Sequence, residues 1–395
     1  MTIIRVRGLF TIAAASILSI LPAVMSMAQP IHMAVMTQNL YLGADPNPIL
    51  TAATLPELQK AILNAADSIV KNDFPLRAEA IASELVEAGG PLLIGLQEAE
   101  IVTDSGASLN YADTLINALK ARGLDYTYTT KAGNAVHKGF VLDTTGIPNL
   151  PLFSLTDQEV VLVRTDVPNF IVKSISTVTF ANDVIVTNPL LGQFPLHRGY
   201  VLVEASLDDV PFQFVSTHLA ETHDALEPAE VGEILTALET TDERQLVVGD
   251  FNARPDELCG ESPCGPEKMI EAGFVETGPE LGLTCCQSPT LDNPASSLSN
   301  RYDYIFARGF PAIYSSALVG DQPFEAERPV WPSDHAGVVT TIAELAGMPG
   351  ISNCFGSSIS TLSHQFGNGL GGAAKALGFF DVQALRDAVR MYCRS

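Results

Sequence analysis

The sequence predicts an α+β protein, and three observations carry that prediction. Short apolar runs end in a carboxylate, amide or imidazole, as in 92–96 before Gln97-Glu98, 213–216 before His218 and 246–248 before Asp250. Runs of this length read as strands buried on their faces, so the polar residue that follows stands at a strand tip. Segments with helical spacing lie between them. The stretch 126–205 is rich in Val, Thr, Ile and Phe and broken by Pro, Gly and Asn, which predicts antiparallel strands joined by loops.

The elements follow in order. Ala34-Val35-Met36 is a strand leading to Thr37-Gln38-Asn39, with His32 before it. Residues 55–86 have helical spacing, broken near Asp73-Phe74-Pro75. The run 92–96 enters Gln97-Glu98, and 111–121 reads as a helix with Leu115, Ile116 and Leu119 on one face. After the β-rich middle, Thr217-His218-Leu219 closes one strand and Gly249-Asp250-Phe251-Asn252 another, with a helix over 229–239 connecting them. Strands over 301–307 and 337–342 complete the set, carrying Tyr302-Asp303-Tyr304 and following Ser333-Asp334-His335.

Composition limits the setting. Arg5 and Arg7, an apolar stretch over 8–24, and Ser26-Met27-Ala28 form a signal peptide over 1–28, cut after Ala28. Pro22 and the shortness of the stretch oppose an uncleaved anchor, and no other stretch is long and apolar enough to span a bilayer. A secreted or periplasmic protein is expected, without an integral span after cleavage and monomeric. The formal net charge is −23, and removing a leader with two arginines makes the rest more negative still. Such a chain lacks the excess Lys and Arg that high-affinity, nonspecific polyanion binding requires. A local basic groove or a bound metal would be needed to offset that field.

The strand-tip residues are those that bind a hard divalent cation and move protons in phosphoryl transfer. Together and in this order they resemble the endonuclease/exonuclease/phosphatase superfamily, the deoxyribonuclease I-like proteins, over about 35–342 and in the manner of its secreted bacterial members. The resemblance implies a four-layer α/β-sandwich of two packed, mainly antiparallel sheets flanked by helices, occupying 29–345. It implies Mg²⁺ or Mn²⁺ on Glu98 and Asp334, with Asn39 beside the metal holding Glu98 or a bound water. Relatives place an acid two residues after that asparagine; here Tyr41 stands there, and Asp45 is a weak substitute.

The same resemblance gives His335 the attacking water, with Asp303 accepting its other ring N–H. Asp250 orients the water or protonates the leaving group, while Asn252 and His218 donate to phosphoryl oxygens. Phe251 between them points into the core, as strand alternation requires. Arg198 is the candidate phosphate clamp, since a guanidinium matches phosphate in two-point geometry, with Arg77 and Arg164 weaker choices. His137, His223 and Asp224 are read as loop residues. The loop through Thr284-Cys285-Cys286-Gln287 runs toward Asp303 and is expected at the substrate rim.

Six cysteines in an exported chain indicate disulfides. Cys354 and Cys393 bracket a tail and are expected to pair, while Cys259, Cys264, Cys285 and Cys286 lie in two loops that they could cross-link. After Gly347-Met348-Pro349-Gly350 the character changes, and residues 346–395 are read as a small disulfide-tied module with helices over 373–377 and 382–391. The expected function is a secreted, divalent-metal-dependent phosphodiesterase using activated water, its substrate a nucleic acid or a phospholipid head group. Trp331 with Phe324 is the one aromatic cluster that suggests bilayer entry. The alternatives are a phosphomonoesterase and a catalytically silent binding protein on the same fold.

Overall fold

The computed structural model describes residues 31–144, 150–190, 192–221, 225–238, 244–324 and 329–394. The signal peptide reading, His223 and Asp224 lie outside the described residues. Among the described residues the core is two sheets packed face to face. In the first, the strands run in the order Ala312–Val319, Gly337–Glu344, His32–Asn39, Leu93–Gln97, Phe153–Arg164, Ile101–Asp104, Ala107–Asn110. In the second the order is Phe170–Thr179, Gly199–Leu207, Val210–His218, Arg244–Asp250, Asp303–Arg308, Val275–Glu276. His32, expected ahead of the first strand, is its first residue and meets Phe366 edge-on at 4.3 Å.

Strand alternation divides each sheet between two cores. Val35, Leu93 and Val161 of the first sheet meet Val203, Phe214, Leu246 and Val248 of the second in the inner core. Each such side chain contributes roughly 1.5–3 kcal/mol by leaving water. The opposite faces are covered by helices, giving four layers. Leu55–Lys71, Phe74–Glu87 and Tyr111–Ala121 pack on the first sheet, and Leu226–Leu238 packs on the second. The break expected near Asp73 is a helix start. Asp73 takes a left-handed conformation at φ 40° and its side chain accepts from Leu76 N–H, with Pro75 in the first turn.

Parallel and antiparallel pairing together bring the polar tips to one end. His32–Asn39 and Leu93–Gln97 are parallel, so Asn39 lies opposite Gln97. Val210–His218 and Arg244–Asp250 are also parallel, with His218 opposite Asp250. Their antiparallel neighbours begin where these strands end, which sets Asp303 opposite Asp250 and His335 just before the strand at Gly337. Two glycines permit the close packing. A β-carbon at Gly95 would collide with Ser216 and Val248 of the facing sheet, and one at Gly249 with the carbonyl of Thr217.

The tail departs from expectation by one helix. Three helices, Cys354–Gln365, Gly369–Ala376 and Val382–Arg394, close over Leu362, Leu385 and Val389 and dock on Ile313, Ala343 and Leu345. Cys354 pairs with Cys393. The other cysteines do not cross-link two loops. Cys259 pairs with Cys264 across a tight hairpin, their Cα atoms 5.0 Å apart, and Cys285 pairs with its neighbour Cys286.

Candidate active site

At the shared end of the sandwich, His335 Nδ1 lies 2.8 Å from Asp303 Oδ2, and both residues are buried. Asp303 is held in turn through its N–H, which donates to Thr284 Oγ1 at 3.1 Å. An ionised carboxylate can only accept, so Nδ1 carries a proton and Nε2 faces the site. Asp250 Oδ2 lies 3.7 Å from His335 Nε2 and equally far from His218 Nε2. Burial opposes the proton on His335, yet the carboxylates of Asp303, Asp250 and Asp334 hold the imidazole well above its ordinary value. Burial pushes Asp250 up to about 7, with His335 pulling it down and Asp303 adding to the rise.

His218 has the opposite environment. Arg198 Nη1 lies 3.0 Å from its Nδ1, and because arginine only donates, that nitrogen is an acceptor and Nε2 carries the ring proton. Gly199 pairs with His218 across two strands, which is why the side chain of Arg198 reaches this ring. Burial, with Arg198 and His335 adding to it, holds His218 well below its ordinary value. Asn252, left-handed at φ 51°, donates through Nδ2 to the carbonyl of Leu219 at 3.0 Å; the same Nδ2 lies 3.1 Å from His218 Nε2, and with the ring proton on Nε2 these are two adjacent donors not bonded to each other. Its N–H donates to Asp250 Oδ1 at 2.8 Å, and Phe251 between them turns into the core against Tyr304 and Phe306.

On the other side, Asn39 Nδ2 donates to Glu98 Oε1 and to Asp250 Oδ2, each at 3.1 Å, while its Oδ1 accepts from Tyr41 N–H. Asn39 is therefore a holder of Glu98, one of the two positions open to it from the sequence. Glu98 is half-buried at φ 50°, and its Oε2 also accepts from Leu42 N–H at 2.6 Å. Burial pushes Asp334 up to about 7; His335 opposes this and Glu98 adds to it. Glu98 and Asp334 both offer carboxylate oxygens at a half-open rim, the donor type that suits a hard divalent cation. Tyr41 is buried against Leu291 and Trp331, and Asp45 is exposed, its Oδ1 accepting from Asn47 N–H.

Several sequence readings are corrected here. Arg77 is no phosphate ligand, since its buried guanidinium donates to the carbonyls of Leu40, Tyr41, Asn72 and Pro332. Arg164 donates to Gly89 and Gly90 carbonyls and to Asp166, away from this end. Trp331 is buried and donates to Asn293, so it offers nothing to a bilayer. His137 lies on the strand Val136–Asp143 rather than in a loop, with Nε2 3.0 Å from Thr179 Oγ1.

Three buried acids behind the site were not singled out from the sequence. Asp157 Oδ2 accepts from Arg198 at 3.1 Å, Glu159 Oε1 lies 3.6 Å from His218 Nδ1, and the Glu100 carboxyl hydrogen-bonds to that of Asp157, which requires one of the two to be protonated. Burial raises all three, and Arg198 opposes the rise in each. The signal was Asp157-Gln158-Glu159, two acids on one face of a strand and directly before the apolar run 160–163.

A model of the endonuclease/exonuclease/phosphatase family matches residues 64–335. No curated protein sequence matches the chain. An endonuclease/exonuclease/phosphatase family protein from Bacteroides thetaiotaomicron has a similar solved structure at 14% identity, covering 80% of this chain and 100% of that one, with a TM-score of 0.50. A mannosyl-6-phosphatase from Bacteroides thetaiotaomicron gives 15%, 79%, 99% and 0.48. Truncated TDP2 from Caenorhabditis elegans gives 16%, 79%, 98% and 0.45. At 14% identity the first of these likenesses concerns the fold alone.

Proposed function

Because the chain belongs to the endonuclease/exonuclease/phosphatase family, whose members are phosphoester hydrolases typically dependent on a divalent metal, we propose that it hydrolyses a phosphodiester with an activated water. The observation that carries this reading is the His335–Asp303 hydrogen bond of 2.8 Å, with His335 Nε2 turned toward Asp250. Asp303 fixes the tautomer of His335; its Nε2 takes the proton from the attacking water once the ring is neutral, a form that the carboxylates of Asp303, Asp250 and Asp334 oppose and that a cation held by Glu98 and Asp334 would favour. Asp250, its carboxyl pushed up to about 7, gives a proton to the departing oxygen. His218, neutral and protonated at Nε2, donates with Asn252 to a nonbridging oxygen.

Glu98 and Asp334 would hold Mg²⁺ or Mn²⁺, with Asn39 orienting Glu98. When bound, the cation neutralises charge developing on the phosphoryl group. A diester is favoured over a monoester because Arg198 already faces Asp157 and His218, and Arg77 faces backbone carbonyls. A second negative charge on the substrate would meet no unspent cation among these groups. The net charge of −23 favours a short or head-group diester over a long polyanion. The three disulfides and the leader also support export, which N-terminal sequencing beginning at Gln29 checks.

The test is hydrolysis of an aryl phosphodiester in Mg²⁺, Mn²⁺ or EDTA. Turnover that needs the metal, and that falls by several orders of magnitude in Glu98→Ala and His335→Ala without unfolding, is expected. Turnover retained by folded His335→Ala sinks the mechanism. A folded wild type inactive on diesters but active on phosphomonoesters would establish the alternative reading.

A further inference from the structure

The Cys285–Cys286 disulfide has no part in the chemistry above. Its half-cystines are adjacent in sequence, so it closes almost no chain and removes almost none of the unfolded state's freedom. Stabilisation is therefore not its use, and its position points elsewhere. Cys285 bridges through its backbone to Asn300 on one side and His335 on the other. Cys286 is half-buried, and its Sγ lies 3.7 Å from His335 Nε2. Ligand atoms of Cys285, Cys286 and His335 all fall within 4.8 Å of one another.

We propose that reduction of this disulfide creates a site for a soft divalent cation such as zinc, bound by both sulfurs and by His335 Nε2. A dithiol reductant supplies two electrons and two protons; the Cys285–Cys286 S–S bond breaks to two thiols, and the reductant closes to its own disulfide. Cation binding then releases both thiol protons and the proton on His335 Nε2 to solvent, freeing the Nε2 lone pair for the cation. The Asp303 carboxylate on Nδ1 holds the ring in the tautomer and orientation that a ligating histidine needs. Thiolate and imidazole select zinc, whereas the oxygens of Glu98 and Asp334 suit magnesium, so the two cations do not compete for one ligand set. The soft cation occupies the nitrogen that the hydrolytic reading assigns to proton transfer. The predicted inhibition rests on that reading; the binding does not.

The test reduces the full chain, removes the reductant anaerobically and titrates with Co²⁺ as an optical stand-in for zinc. One equivalent should give a thiolate-to-metal charge-transfer band that zinc abolishes. The band should be absent before reduction and absent in Cys285→Ser/Cys286→Ser and in Cys286→Ala, with far-UV circular dichroism confirming that the variants fold. Cys259, Cys264 and Glu227 form another group of possible ligands. A band undiminished in the double variant, which that group alone would then account for, overturns the proposal, as does no band in reduced, folded wild type. With Mg²⁺ present, one equivalent of zinc should lower diester turnover at least about tenfold in reduced wild type and leave oxidised wild type unchanged. A band without inhibition removes the site from the reaction centre. No turnover in oxidised wild type defeats the hydrolytic reading, while the band still decides the metal site.

Discussion

The two histidines of the site differ in what stands behind them, a carboxylate for His335 and a guanidinium for His218. The difference holds one imidazole toward its protonated form and the other toward its neutral form, in chemically identical side chains. Arg198 is held by Asp157, so Asp157 is a positioning residue for His218. Asp157→Asn is expected to lower kcat roughly tenfold to a hundredfold with KM nearly unchanged, because the lost alignment matters at the transition state. Steady-state kinetics on the aryl diester check it, and a rise in KM alone would instead make Arg198 a ground-state phosphate ligand. Asp250 and Asn252 were legible because they follow an apolar run, and Asp303 and His335 because they precede one; a polar residue at either edge of such a run is conspicuous in the sequence. Asp157 and Glu159 were not, because an acid inside a strand ordinarily marks a solvent face, and here that face is turned inward. The side-chain partners of Arg77 and Trp331 were equally hidden, since both residue types are as apt at a rim as in a core.

Among the elements, the helix Leu226–Leu238 carries an acid that couples folding to pH. Burial pushes the Glu227 carboxyl up to about 8, although Gly265 N–H donates to it at 2.7 Å. The folded state thus holds this proton more tightly than the unfolded chain, whose value is near 4.5. Its contribution to stability is full below that value and is lost as pH rises toward 8. Glu227→Gln should therefore melt above wild type at pH 8, by on the order of 2 kcal/mol, and match it in acid, as thermal unfolding at both pH values would show. In the tail, Cys354 and Cys393 are 39 residues apart, and breaking that loop with Cys354→Ser should cost about 3–4 kcal/mol in chain entropy. Calorimetry showing no loss of stability there would mean that docking on Ile313 and Leu345 suffices. The helix Cys354–Gln365 escaped the sequence reading because Ser, Thr and Gly dilute its pattern, and its apolar face acquires meaning from the sheet edge it covers.

Across the whole molecule the decisive dimension is the spacing between the two sheets. Gly95→Ala would press a methyl group into Ser216 and Val248 and should cost about 1–3 kcal/mol, measured by denaturant unfolding. Activity should fall with it, because Glu98 is three residues along the same chain segment; full stability in that variant would mean that the sheets part freely. The alternation of strands and helices was legible from the sequence pattern and the layered sandwich only through the family resemblance, but the pairing order was not, since register depends on contacts distant in sequence. That pairing order has a consequence for how the protein is made. The strand bearing Asn39 lies beside the one that follows His335, and Gln38 donates to the His335 carbonyl across 297 positions of chain. Ser333 reaches back to the Asn39 carbonyl across 294. A ribosome must therefore finish nearly the entire family domain before its first strand gains this neighbour. Until then a nascent chain carries most of the reactive side chains without the means to gather them, so synthesis itself delays the onset of hydrolysis.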